Sequence, residues 1–156
     1  MLKRVKAQRA KYVPLHKVIS VSTSTTEAAR IRHEKKKKGT KWKDEVAAIL
    51  KKEGFTRKAF EASVRSSNEK VPGLLSREAA IMALLLLRLE AGGQNLKKLT
   101  TLLQVNTMPK RSHILKNTEV APCICPQAQY IVWHNGHARR LQPTEYLHLQ
   151  VCDFGV

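Results

Sequence analysis

The stretch from Ile81 to Leu89 constrains the fold of this chain more than any other, because every residue in it except Arg88 is apolar. Ser76 provides a helix cap ahead of it and a Gly-Gly pair follows it, so we predict a helix over residues 76–91. A helix that is apolar on nearly every face must be buried on nearly every face. The run is too short for a membrane span, which needs roughly 20 residues. We therefore predict a central core helix against which the other elements pack.

Two shorter helices are predicted ahead of the core helix. Apolar residues recur every three or four positions from Trp42 to Leu50, with acids near the start and lysines near the end of the segment, which suits the helix dipole. Gly54 can end this helix, and Thr56 can cap a second one. The pair would form a helical hairpin over residues 40–70 that serves either as scaffolding or as a nucleic-acid reader. The basic side chains that such a reader would expose are Arg57, Lys58 and Arg65.

Beyond the core helix, the sequence predicts two more helices and a β-hairpin. Leucines at three- and four-residue intervals behind a good N-cap residue predict a short helix over residues 96–104. Pro109, which a first helical turn tolerates, predicts another helix over residues 108–117. Asn135-Gly136 lies between two apolar runs, and Asn-Gly in this setting is the strongest short hairpin signal. We therefore expect a mainly α fold with a small C-terminal β-hairpin.

This order of elements resembles the winged-helix family of DNA-binding proteins. In that family a buried helix leads to a second helix, a recognition helix and a hairpin wing, here residues 76–91, 95–104, 108–117 and 129–142 in a winged-helix-like domain of residues 71–156. The resemblance implies that the third of these segments reads base edges in the major groove while cations around it hold phosphates. The implied reading face consists of Lys110, Arg111, His113 and Lys116, and the implied wing carries Arg139 and Arg140.

A second, local resemblance covers Arg139 to His148 together with the Asn-Gly turn ahead of it. This segment is similar to the one that opens the DNA-binding domain of OmpR-type response regulators. The similarity extends over a hairpin and the first turn of a helix that begins after Pro143-Thr144 and carries Glu145. It implies the same local structure and not the whole fold of that domain.

The chain is strongly basic, with 29 Lys and Arg against 12 Asp and Glu and a formal net charge of +17. Residues 1–70 hold 20 of the basic and 7 of the acidic side chains, so we predict a basic flexible arm over residues 1–39. Such a charge attracts polyanions, and each Lys or Arg docked on a phosphate releases counterions. The cluster of consecutive lysines is equally compatible with a solvated linker. The phosphate contacts expected in this region are Lys35, Lys36, Lys37, Lys38, Lys41 and Lys43.

Other functional classes have weaker support. Three cysteines without a secretory signal indicate free thiols in a reducing compartment, and we expect the cytoplasm, although the acid-free residues 1–26 also fit an organelle transit peptide. The Cys-x-Cys spacing is tighter than zinc sites usually have, so no metal or other cofactor is predicted. The acids are scattered and no catalytic motif occurs, which disfavours an enzyme. The zinc-competent residues are Cys123, Cys125, His134, His137, His148 and Cys152.

These observations lead to three functional hypotheses. The first is a small transcriptional regulator that reads DNA with the 108–117 helix and holds phosphates with its basic arm. The second is a ribosomal or other ribonucleoprotein subunit that binds structured RNA through its N-terminal extension. The third is an adaptor whose helical hairpin binds an acidic partner protein. We expect nucleic acid as the partner, with DNA preferred over RNA, no membrane, and a homodimer or a partner protein as further assemblies.

Overall fold

The computed structural model describes residues 41–116 and 129–150, with the backbone alone at Lys116 and over residues 147–150. The predicted basic arm over residues 1–39 lies outside the described residues. Within them, three helices precede a four-stranded antiparallel sheet, and a last helix follows it. The helices are α1 (Lys41–Glu53), α2 (Arg57–Lys70), α3 (Ser76–Ala91) and α4 (Pro143–Gln150). The strands are β1 (Thr100–Gln104), β2 (Ile114–Lys116), β3 (Tyr130–His134) and β4 (His137–Arg140), and a 3-10 turn (Pro109–Arg111) lies between β1 and β2.

The two helices predicted ahead of the core helix are present. Helix α1 buries Val46 and Ile49 and packs against α3. Gly54 has a φ of +74°, a left-handed conformation that glycine adopts without steric cost and that ends α1. The hydroxyl of Thr56 then accepts a hydrogen bond from the backbone N–H of Ala59 at 3.2 Å. This contact caps α2, as the sequence predicts, and α2 in turn packs along α3.

The core helix is also confirmed, and its burial is nearly complete. Ile81, Met82, Ala83 and Leu84 are fully buried, because α1 and α2 cover one side of α3 and the sheet covers another. Glu78 in the first turn accepts a hydrogen bond from the backbone N–H of Leu75 at 3.0 Å. The carboxylate thereby satisfies a donor that would otherwise have no partner at the helix N-terminus.

The sheet has the strand order β2-β1-β3-β4, and its two faces belong to different cores. The predicted hairpin is confirmed: β3 and β4 are joined by Asn135 (φ +49°) and Gly136 (φ +85°). Side chains alternate between the faces of a strand, so β1, β2 and β3 each contribute to both cores. The face toward α3 carries Leu103, Ile131 and Trp133, and the opposite face carries Leu102, Leu115, Tyr130 and Val132 together with Leu141 and Tyr146.

The predicted helix over residues 96–104 is wrong, since strand β1 occupies Thr100–Gln104. Leu102 and Leu103 are both fully buried, one on each face of the sheet. A strand buried on both faces has no alternation of apolar and polar residues, and periodicity cannot distinguish a short strand of this kind from a helix. The side chain of Asn95 accepts a hydrogen bond from the backbone N–H of Lys97 at 3.1 Å, but this bond stabilises a turn ahead of β1 and caps no helix.

The predicted helix over residues 108–117 is wrong as well. Pro109 does begin a helical turn, but the turn is a 3-10 turn that ends at Arg111. The hydroxyl of Ser112 donates a hydrogen bond to the carbonyl of Pro109 at 2.7 Å, and the backbone of Ser112 is extended. A serine that bonds to nearby backbone in this way competes with continuation of the helix. The chain then enters β2, where Ile114 pairs with Leu103.

Candidate nucleic-acid interface

Two contacting elements present four of the predicted nucleic-acid-binding cations. Lys41 and Lys43 are exposed in the first turn of α1, and the 3-10 turn packs against that helix. Pro109 is buried and anchors the turn, whereas the two residues that follow it, Lys110 and Arg111, are exposed. Burial of the proline therefore holds both cations at the surface beside α1. We call Lys41, Lys43, Lys110 and Arg111 the cationic surface.

No ion pair involves the cationic surface in the part of the chain that the structure describes. The ammonium of Lys43 lies 5.6 Å from the ring centroid of Trp42, a cation–π contact that leaves its charge at the surface. Asp44 is an exposed acid on the same turn of α1 and reduces the local excess of positive charge. Among the described residues, a phosphate that meets these four side chains would therefore not have to break a salt bridge.

Three other predicted contacts are already paired with acids. Arg57 lies 2.8 Å from Glu61 on an exposed face of α2. The two consecutive arginines of β4 reach opposite faces of the sheet, where Arg139 pairs with Glu145 at 2.6 Å and Arg140 pairs with Glu78 at 2.9 Å. The two glutamates are buried in the first turns of α4 and α3. No signal near either glutamate in the sequence reveals its arginine partner.

The remaining predicted residues are separated from one another. Lys58 is exposed on α2. His113 is half-buried, with its ring edge-on to Tyr130 at 6.3 Å between centroids, and its backbone carbonyl accepts a hydrogen bond from Gln104. These contacts hold His113 against the sheet, one residue ahead of β2. Lys116 ends β2, with its backbone alone described, and Lys35, Lys36, Lys37 and Lys38 lie outside the described residues.

The hairpin histidines have partners but do not form a metal cluster. His134 and His137 are register partners across the turn. Nδ1 of His134 lies 2.8 Å from the hydroxyl of Thr100, and Nε2 lies 3.3 Å from the amide nitrogen of Asn135. Over residues 41–116 and 129–150, no three His, Cys, Asp or Glu side chains come together as metal ligands. The predicted thiols Cys123, Cys125 and Cys152 lie outside these ranges.

None of the helices in the described ranges has both the length and the apolar character needed to cross a membrane. The chain matches no protein-family model, and searches of curated proteins and of solved structures found no similar protein.

Proposed function

We propose that this protein binds nucleic acid through its phosphates, and that it acts by binding and not by catalysis. The observation that carries the proposal is the cationic surface, four exposed cations on two contacting elements that make no ion pair within the described residues. The net charge of +17 supports it, because a field of this sign accelerates encounter with a polyanion. In sequence, Lys41 lies three residues after the last of the four lysines at positions 35–38, which would extend the same phosphate contacts.

The winged-helix hypothesis assigned base reading to Lys110 and Arg111 on a recognition helix. Because these residues stand on a 3-10 turn, we propose that they hold phosphates and do not enter the major groove as part of a helix. The wing assignment of Arg139 and Arg140 would require each to exchange a carboxylate partner for a phosphate. We therefore place the principal contacts on the cationic surface and not on the hairpin.

The nucleic acid that the protein binds is either a DNA duplex or structured RNA. A DNA duplex is the partner expected of a small transcriptional regulator, and structured RNA is the partner expected of a ribonucleoprotein subunit. The test is to recover the nucleic acid that copurifies with the native protein after a wash at about 0.3 M salt, which strips contacts held by charge alone. Sequencing of discrete duplex DNA sites would support the regulator, and structured RNA would support the ribonucleoprotein subunit. Absence of bound nucleic acid even from a preparation that has not been washed with salt would reject the proposal.

A further inference from the structure

A groove runs along α2 on the side of the fold away from β2. Its volume is about 660 Å³, and it lies between α2, the last turns of α3, the loop ahead of β1 and the tip of the β3-β4 hairpin. None of the four residues of the cationic surface lines it. The α2 wall is formed by Ala59, Ala62, Ser63, Ser66 and Lys70, and the facing walls include Leu87, Glu90 and Lys97.

Internal contacts hold the groove in shape. The indole N–H of Trp133 donates a hydrogen bond to the carbonyl of Leu96 at 2.8 Å, which fixes the loop against the sheet. The ammonium of Lys70 donates to the carbonyl of Gly136 at 2.9 Å and stands 5.4 Å from the ring centroid of Trp133. These bonds connect α2, the loop and the hairpin tip, so the groove is already formed before an occupant binds.

The α2 wall is shaped to admit another helix. Ala59, Ala62, Ser63 and Ser66 follow the spacing of one helical face, and their short side chains let a second backbone approach closely. The hydroxyl of Ser63 donates a hydrogen bond to the carbonyl of Ala83, so the hydroxyl needs no partner from the occupant. From Ala59 to Lys70 the wall is about 16 Å long at 1.5 Å per residue, which is about three helical turns.

The opposite wall supplies uncovered apolar surface from the core helix itself. Leu87 is half-buried and belongs to neither core cluster, whereas Leu86 and Leu89 both belong to the buried core. It lines the groove together with Leu86 and the half-buried Leu96. An apolar side chain that entered here would cover the face of α3 that the described elements leave open.

The side-chain charges at the groove favour an occupant with negative charge. Lys97 is exposed and makes no ion pair within the described ranges, and Lys98 beside it is exposed as well. Lys70 adds a second cation to the lining, and Glu90 is the acid among the lining residues. Since the whole chain carries a net charge of +17, long-range attraction also favours an acidic partner.

We propose that the groove binds an amphipathic helix of an acidic partner protein, with apolar side chains of that helix on Leu87 and Leu96 and its acidic side chains toward Lys97 and Lys70. This is the helix-in-groove mode of recognition, in which apolar anchors recur every three or four residues. The site is separate from the cationic surface, so the protein can hold nucleic acid and a partner protein at the same time.

The probe is a labelled synthetic peptide of about 15 residues, long enough to form a helix, with Leu at every third or fourth position and Glu elsewhere. Its binding to the full chain is measured by fluorescence anisotropy. Trp42→Phe provides a background in which Trp133, which lines the groove, is the one remaining tryptophan and reports occupancy. We expect saturable binding that weakens with salt.

Ala62→Phe fills the groove, and Lys97→Glu reverses a charge beside it; each should weaken peptide binding by about tenfold or more, the effect of losing about 1.4 kcal/mol. Ala48→Phe is the matched control, because Ala48 is equally exposed but lies on α1. A second control peptide has the same composition with its leucines out of helical register. The proposal is overturned by equal binding of both peptides, by equal effects of the two phenylalanine variants, or by absence of binding. It is also overturned by a homodimer that Ala62→Phe dissociates, since the occupant would then be a second copy.

Discussion

Arg140 and Glu78 connect the last strand of the sheet to the first turn of the core helix. Nη2 of Arg140 lies 2.9 Å from Oε2 of Glu78, and the same oxygen accepts the backbone N–H of Leu75 at 3.0 Å. The Glu78 side chain is 4% exposed and that of Arg140 is 28% exposed. One buried carboxylate therefore caps α3 and neutralises an arginine of β4, which couples the helical layer to the sheet.

We expect Arg140→Leu to lower the free energy of unfolding by about 3 kcal/mol, because it leaves the buried Glu78 carboxylate without its cation. Glu78→Gln should cost less, about 1–2 kcal/mol, since an amide oxygen can still accept the N–H of Leu75. Urea unfolding followed by circular dichroism measures both values. The double variant should lose less than the sum of the two. A strictly additive result would mean that the two side chains are not energetically coupled.

The neighbouring arginine holds the last helix in the same way on the other face of the sheet. Arg139 forms a bidentate pair with Glu145, at 2.6 and 2.8 Å, and Glu145 also accepts the backbone N–H of Gln142. We expect Arg139→Leu to speed hydrogen exchange of the backbone amides in α4 while the amides of α3 keep most of their protection. The reason is that α4 is the last described helix and is held by this ion pair, whereas α3 lies in the core. Mass-spectrometric exchange distinguishes the two helices. Equal loss of protection in both would contradict this local role.

Gly136→Ala should destabilise the hairpin by about 1–2 kcal/mol, the cost of a left-handed conformation for a residue with a Cβ. The φ of Gly136 is +85°, and an added Cβ would meet nothing within 4 Å, so the cost is one of backbone conformation and not of a clash. Asn135→Gly is the control and should change the free energy of unfolding by no more than about 0.5 kcal/mol. Thermal unfolding measures both. A neutral Gly136→Ala would exclude the left-handed turn.

If the cationic surface binds phosphates, its removal should change the salt dependence of nucleic-acid binding by a predictable amount. Replacing Lys110 and Arg111 together by Ala should reduce the slope of log K against log salt concentration by about 1.8, or about 0.9 per lost phosphate contact on a duplex. The free energy of unfolding should stay nearly constant, because both side chains are exposed. Filter binding at several salt concentrations gives the slopes.

The matched control for that experiment is the double Ala variant of Lys97 and Lys98, which removes the same charge from another exposed segment. If the cationic surface contacts phosphates directly, the control should change the slope much less than the Lys110 and Arg111 variant does. Equal changes in the two variants would show that binding depends on total charge and not on this surface.

Several features of the fold were predictable because their causes are local. Thr56 caps α2 through a bond to Ala59 three residues away, and Gly136 allows the tight hairpin turn by its own backbone freedom. The burial of α3 was predictable from its composition, since leucine on nearly every face excludes contact with solvent. Exposure of Lys110 and Arg111 was likewise expected, although on a different element.

The strands β1 and β2 could not be predicted in this way, and the reason lies in distance along the chain. Leu102 pairs with Val132 and with Leu115, and these partners decide that the segment is a strand although its leucine spacing fits a helix. The ion pair of Arg140 joins residues separated by 62 positions. Sequence alone thus determined the Thr56 cap, the hairpin turn, the core helix and the excess of positive charge, because each depends on a few neighbouring residues or on composition. Tertiary structure decided the sheet and which cations remain unpaired, because both depend on contacts that form only when remote segments pack together.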